Sequence, residues 1–213
     1  MELKAETGYL FHFTHLSNIP GILERGALIS DARTIAEGCL QVEAGDPSIK
    51  AHRRTMHVTC GPGGSPSDYV PFYFAPRSPM LYKINRGGVP TYPHGQKQLV
   101  YFVTAVGNVI ASGRPWAFSN GNCANRITRY FGSVGHLDSA IDWTLMNAVR
   151  WNDTADDPDR MRRRMAEFLV HDHLPLTALV GVATKDEQTR TDVRAILGDD
   201  FEPPVLVMSD WYY

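Results

Sequence analysis

Apolar residues along this chain fall in short runs rather than long helical stripes. Tyr9-Leu10-Phe11-His12-Phe13-Thr14-His15 alternates, with Phe11 and Phe13 on one face and His12 and Thr14 on the other, which predicts a half-buried strand. Tyr69-Val70-Pro71-Phe72-Tyr73-Phe74-Ala75 is an aromatic-rich strand pattern, with Pro71 marking an edge or a start. The continuous run Leu99-Val100-Tyr101-Phe102-Val103 predicts a central strand. Phe168-Leu169-Val170, Leu179 to Ala183 and Val205 to Met208 predict three more, and Ala27-Leu28-Ile29 and Val109-Ile110 are shorter candidates.

Helical signals are brief. Asn18-Ile19-Pro20 opens a helix with Pro20 in its first turn, Ile19, Ile22 and Leu23 inward, and Gly26 just past its end. Asp186 to Leu197 is helical, with Val193, Ile196 and Leu197 buried and Gly198 as its cap. Asp142 to Trp151 predicts a helix with Trp143, Met146 and Val149 inward. Ile49 to Arg54 predicts a helical turn, and Arg77 to Tyr82 a turn or short helix. Arg126 and Arg129 are three apart and share a face if the segment before Tyr130 is helical. Short strands with small peripheral helices indicate an α+β domain.

Residues 31–68 are broken by Gly38, Gly45, Pro47, Gly61, Pro62, Gly63, Gly64 and Pro66. A connector of that length in a compact domain is usually a lid or a binding loop. Composition adds limits. The 213 residues, 43% apolar and 21% charged, suit one domain over 1–213, and the net charge of -2 gives no overall nucleic-acid signature. Cys39, Cys60 and Cys123 are odd in number and widely spaced, without metal-ligand spacing, so a reducing cytoplasm is expected. No apolar run approaches the ~20 residues of a membrane span. Met1 to Glu6 lacks a signal-peptide layout. No large apolar surface stretch is visible, so a monomer is expected.

Candidate chemistry gathers at a few points. Glu167 stands between the basic run Arg162-Arg163-Arg164 and the apolar start of a strand. There it is either a solvated boundary residue or an acid/base held in a cleft. His12, Thr14 and His15 form a donor and acceptor cluster, which fits either a polar strand face or a ligand site. Met80 fits either core or the soft wall of a planar ligand site. The loop from Ser119 to Asn125, followed by Arg126, Arg129, Tyr130 and Phe131, mixes cations and aromatics as single-strand nucleic-acid binders do, and as ordinary amphipathic helices also do.

Three blocks together carry a resemblance: His12 to His15 with Asn18 to Leu23, Tyr69 to Tyr82, and Arg163 to Val170. In this order they resemble the DarT family, DNA ADP-ribosyltransferase toxins of bacterial DarT–DarG toxin–antitoxin systems. The resemblance implies an ADP-ribosyltransferase-like fold, two packed and mainly antiparallel β-sheets around a central NAD+-binding cleft. It implies transfer of ADP-ribose from NAD+, without a metal, to a thymidine base in single-stranded DNA. Guanosine, RNA or protein as acceptor, or a non-catalytic NAD+- or nucleic-acid-binding module, are the alternatives. A DarG-like macrodomain antitoxin is the implied partner.

Residue by residue, the resemblance assigns Glu167 and Arg53 as catalytic, with Arg54 the alternative one position on. It assigns His12, Phe13, Thr14, Gly21, Leu28, Arg53 and Met80 to NAD+, with Ile29 as the neighbour of Leu28. Asn122, Arg126, Arg129, Arg160, Arg163 and Arg164, within a loop-helix region at about 113–165, are candidates for gripping DNA. Glu167 would take a proton from thymine while supporting the oxocarbenium-like centre, and Arg53 would hold phosphate or assist electrostatically.

Overall fold

The computed structural model describes residues 8–213, so the reading of Met1 to Glu6 lies outside it. Its strands are β1 Tyr9–His15, β2 Ala27–Ile29, β3 Tyr69–Tyr73, β4 Leu99–Ala105, β5 Trp116–Ser119, β6 Tyr130–Phe131, β7 Glu167–His171, β8 His173–Pro175, β9 Leu179–Thr184 and β10 Val205–Val207. Its helices are α1 Ile19–Arg25, α2 Asp31–Glu37, α3 Pro47–Arg53, α4 Pro79–Asn85, α5 Val106–Ala111, α6 Leu137–Ala140, α7 Trp143–Met146, α8 Arg160–Arg164 and α9 Glu187–Leu197. The α+β expectation agrees with this layout.

Eight strands join in the order β10-β9-β4-β1-β3-β7-β5-β6, and β2 and β8 form a separate pair. All ladders but the parallel β9–β10 pair are antiparallel. The large sheet is pinched in the middle. β1 runs beside β4 from Tyr9↔Ala105 to His15↔Leu99, yet meets β3 only at Phe11↔Tyr73. Pro71 carries no N–H with which to extend that ladder. His12 Nδ1 donates instead to the Pro71 carbonyl at 2.8 Å. The expected two sheets are therefore two four-stranded halves stitched at one residue pair, and a cleft opens where β1 and β3 part.

Strand alternation feeds buried clusters on both faces of the sheet. Leu10, Val70, Phe72, Val100, Phe102 and Phe168 face one way and are covered by α1, α5 and α9 through Ile19, Val109, Val193 and Leu197. Phe11, Tyr101 and Val103 face the other way, against Leu81 and Ile84 of α4 and the C-terminal Trp211 and Tyr212. Gly26 ends α1 at φ +62, in the left-handed region that favours glycine.

Several local expectations need correction. Residues 31–37, read as irregular, form α2, capped by Ser30 at its start, where Oγ accepts from Arg33 N at 3.3 Å. Val109-Ile110 is helical in α5, with Val109 buried and Ile110 45% exposed. Arg126 and Arg129 share no helix face. The Asn122 and Asn125 side chains accept from Ala124 N and Ile127 N, which favours turns over helix, and Asn120 pairs with Arg129 to close a β5–β6 hairpin. The helix expected to reach Trp151 stops at Met146, and Val149 is 74% exposed rather than inward. Arg160 ties down the following segment by donating to the carbonyls of Arg150 and Asn152.

Candidate active site in the sheet cleft

A cavity of about 250 Å³ occupies the parting of β1 and β3. His12, Phe13 and Thr14 line it from one half-sheet, and Tyr69, Pro71, Tyr73 and Glu167 from the other. Gly21, Leu28, Ile29, Arg53, Met80 and Asn122 complete the parts of its wall anticipated from sequence.

Glu167 opens β7 directly after the last turn of α8, opposite Tyr73 in the ladder. Its backbone N–H donates to Ser119 Oγ at 3.0 Å, which carries the β5–β7 pairing one step past Phe118↔Phe168. Its side chain is 2% exposed. A carboxylate that buried needs a partner. Arg53 provides one, with Nη1 at 2.7 and 2.8 Å from the two carboxylate oxygens, and Cys123 N–H adds a longer bond of 3.4 Å. Burial is the largest single influence and opposes the Arg53 charge, but the raising influences, led by the Glu167 carboxylate, together outweigh it and the guanidinium pKa rises above its ordinary value. Among the described residues, Arg53 Nε and Nη2 make no hydrogen bond, so two donor groups are left for a ligand. Arg54 points elsewhere, to Asp31 at 2.9 Å on the surface.

His12 is held neutral, because burial lowers its pKa more than the Pro71 carbonyl raises it. A carbonyl only accepts, so Nδ1 carries the proton and Nε2 is left as an acceptor. Thr14 Oγ1 accepts from Asn18 Nδ2 at 3.0 Å. Asn18 also donates to Val42 O and accepts from Gln41 and Val42 N–H, pinning the loop after α2 against β1. At Gly21 a Cβ would meet Arg25 Nη1 at 3.2 Å, so the bare backbone keeps this wall open.

Sequence reading missed Asn18, Ser119, Tyr73 and Cys123 as parts of the site. Asn18 signalled only a helix start and Ser119 only a turn. Tyr73 lay within the strand pattern, yet it stacks on Phe13 at 6.2 Å and 15°. Burial first, and Glu167 second, raise the Tyr73 and Cys123 pKa values well above ordinary. Both stay protonated at neutral pH, which removes the Cys123 thiolate as a nucleophile.

The proposed DNA-gripping residues do not form one surface. Asn122 lines the cavity, and Arg126 and Arg129 are exposed. Arg160 is committed to backbone carbonyls, and Arg163 to Asp142, Asp157 and Asp159. Arg164 is a correction: it is 3% exposed and donates to Pro76 O, so it cannot grip a strand. Its burial brings its pKa down to about 10. Among the described residues, no group of three or more His, Cys, Asp or Glu side chains could hold a metal ion.

A family model described as ssDNA thymidine ADP-ribosyltransferase, DarT, matches residues 11–213. A DNA ADP-ribosyl transferase of Mycobacterium tuberculosis is 36% identical over 191 residues, covering 88% of this chain and 81% of its own. The solved structure of Thermus sp. 2.9 DarT in complex with ADP-ribosylated ssDNA superposes with a TM-score of 0.90 at 31% identity, covering 100% of this chain and 99% of that one. The same protein in complex with NAD+ gives a TM-score of 0.84 at 30% identity, covering 99% and 100%. A Thermosipho africanus DNA ADP-ribosyl transferase-DNA ADP-ribosyl glycohydrolase fusion protein is 23% identical over 89% of this chain and 46% of its own.

Proposed function

We propose, because this chain belongs to the DarT family of single-stranded DNA thymidine ADP-ribosyltransferases, that it transfers ADP-ribose from NAD+ to a thymidine base in single-stranded DNA and releases nicotinamide. The observation that carries the residue assignment is the buried Arg53–Glu167 contact on the wall of a cavity shared with His12, Thr14 and Met80. The wall suits a dinucleotide. It offers two unused guanidinium donors, a bare imidazole nitrogen, a glycine backbone without a side chain and a thioether face.

NAD+ supplies an electrophilic ribose carbon and a leaving group. In thymidine the only ring N–H is N3, and N3 is a poor nucleophile until that proton leaves. Glu167 accepts the N3 proton as N3 bonds to the ribose carbon, and the bond to nicotinamide breaks with its electron pair going to the departing ring. Arg53 holds the Glu167 carboxylate aimed by bonding both of its oxygens, and turns its free donors toward phosphate or a base carbonyl. His12 and Thr14 orient the nicotinamide side, and Met80 closes it off. The acceptor base has to leave its stack to reach this depth, which fits a single-stranded substrate.

Such an enzyme acts as a toxin where NAD+ and DNA meet, in the cytoplasm, as a monomer opposed by a macrodomain antitoxin that removes the mark. The fused glycohydrolase of the Thermosipho relative supports that pairing. Among the described residues, no helix is long and apolar enough to cross a membrane.

Mass measurement after mixing the protein with NAD+ and thymidine-containing or thymidine-free DNA and RNA oligonucleotides tests the reaction. One added ADP-ribose on thymidine-containing DNA alone is expected, and modification of RNA only would overturn the reading. Glu167→Gln should bind NAD+ and lose transfer by about 10²- to 10⁴-fold, the usual weight of a general base.

A further inference from the structure

A second groove, about 760 Å³, adjoins the cavity between α4, residues 149–152 and Met161. Ile49, Met80, Asn122 and Met165 line both spaces, so the groove continues the catalytic cavity outward. Among the described residues, large hydrophobic side chains at the surface are few and scattered, yet Tyr82 (42% exposed), Val149 (74%) and Met161 (45%) all rim this groove.

Its charge is one-sided. Among the described residues, no Asp or Glu lines it, and its charged residues are Lys83, Arg86 and Arg150. Lys83 is paired with Asp46, so Arg86 and Arg150, both exposed, supply the open positive charge. Its ring system is braced. Tyr82 stands edge-on to Trp151 at 5.7 Å and to Tyr213 at 5.1 Å. Trp151 Nε1 donates to the Tyr213 hydroxyl at 2.8 Å, and that hydroxyl donates to Arg77 O at 2.6 Å.

An apolar floor, a braced but accessible ring and a cationic rim without carboxylates fit an unpaired nucleotide, whose base stacks and whose phosphate meets arginine. A base withdrawn toward Glu167 leaves its strand neighbour at the mouth of the cavity, where this groove begins. We propose that the groove seats a nucleotide flanking the modified thymidine, and that Tyr82 is the residue its base stacks on. The assignment rests on the function proposed above and adds where the neighbouring nucleotide is held.

The test uses the intact protein, saturating NAD+ and single-thymidine oligonucleotides in which each flanking position in turn is abasic. Tyr82→Ala should raise the oligonucleotide KM about 5- to 140-fold, the equivalent of ~1–3 kcal/mol of lost stacking. The NAD+ KM should stay unchanged and Tyr82→Trp should restore binding. The penalty should vanish on the oligonucleotide whose abasic site removes the stacked base. Arg150→Gln should weaken binding to all sequences alike and flatten its salt dependence. If the unaltered protein modifies no DNA, the function fails rather than the groove alone. If it modifies DNA and Tyr82→Ala matches its oligonucleotide KM, the groove assignment is overturned. Unchanged DNA kinetics with lost binding to a macrodomain antitoxin would make the groove a protein-docking site and overturn it equally.

Discussion

Arg53 and Arg54 are neighbours with opposite surroundings, and that contrast is the sharpest single-residue test. Arg53 spans both oxygens of a buried carboxylate, whereas Arg54 makes a surface pair with Asp31 and is 43% exposed at its side chain. Arg53→Ala should abolish DNA modification and destabilise the fold by about 3–5 kcal/mol, because the buried Glu167 side chain loses its partner. Arg54→Ala should cost at most ~1 kcal/mol and leave transfer near normal. Activity assays with urea unfolding separate the two, and an inactive Arg54→Ala beside an active Arg53→Ala would reverse the assignment. Arg164 makes a different prediction. Its guanidinium is buried and, among the described residues, lies beside no carboxylate and its Nε has no partner. Arg164→Met should change stability little or raise it, whereas Arg164→Ala should cost about 2–4 kcal/mol through the void it leaves. His12 and His15 both have pKa values lowered from 6.5, mainly by burial. The unfolded chain then binds the extra protons, so stability is full above pH 6.5 and falls as pH drops below it toward the lowered values. Urea midpoints across that range should slope, and His12→Gln should reduce the slope; an unchanged slope would remove His12 from the account.

Elements show what periodicity can and cannot reveal. Strands β1, β3, β4, β7 and β9 were legible because each is an apolar or alternating run bounded by turn residues. The ten-odd residues around Arg126 were not, because cations and aromatics at helical spacing are outvoted by asparagine side chains that satisfy the backbone in turns. Helix α2 is set by its Ser30 cap, a signal lost in a glycine-rich stretch. The candidate site was legible only through the family resemblance, since Glu167 reaches Arg53 across 114 positions of sequence. Helix α3 matters most here, because Arg53 is its last residue. Asp46 anchors its start, with Oδ1 accepting from Ser48 and Ile49 N–H and Oδ2 paired with Lys83 of α4. Asp46→Ala should cost ~1 kcal/mol and slow transfer several-fold by loosening Arg53, whereas Asp46→Asn keeps the cap and should lose less of both. Equal single-turnover rates for Asp46→Ala and the unaltered protein would sink this link.

At the scale of the whole molecule, the cavity is bounded by both half-sheets, so a ligand in it bridges them. NAD+ at 100 times its Kd should stabilise the fold by about 2.7 kcal/mol. For a chain of this size that is a rise in Tm of roughly 5–10 °C. Glu167→Gln is the form to use, since it holds NAD+ without turnover, and a flat melting temperature across an NAD+ titration would contradict a bridging site. The pinch at Phe11↔Tyr73 has one more consequence. In sequence order the chain passes between the halves four times, from β1 to β3, β3 to β4, β4 to β5 and β7 to β9. The two halves are laced together rather than hinged. A split-protein version cut in the exposed segment at residues 86–88 would give two fragments that each hold strands of both halves and complete neither. Each should be harmless when expressed alone, and growth arrest should return only when the two are brought together and fold as one.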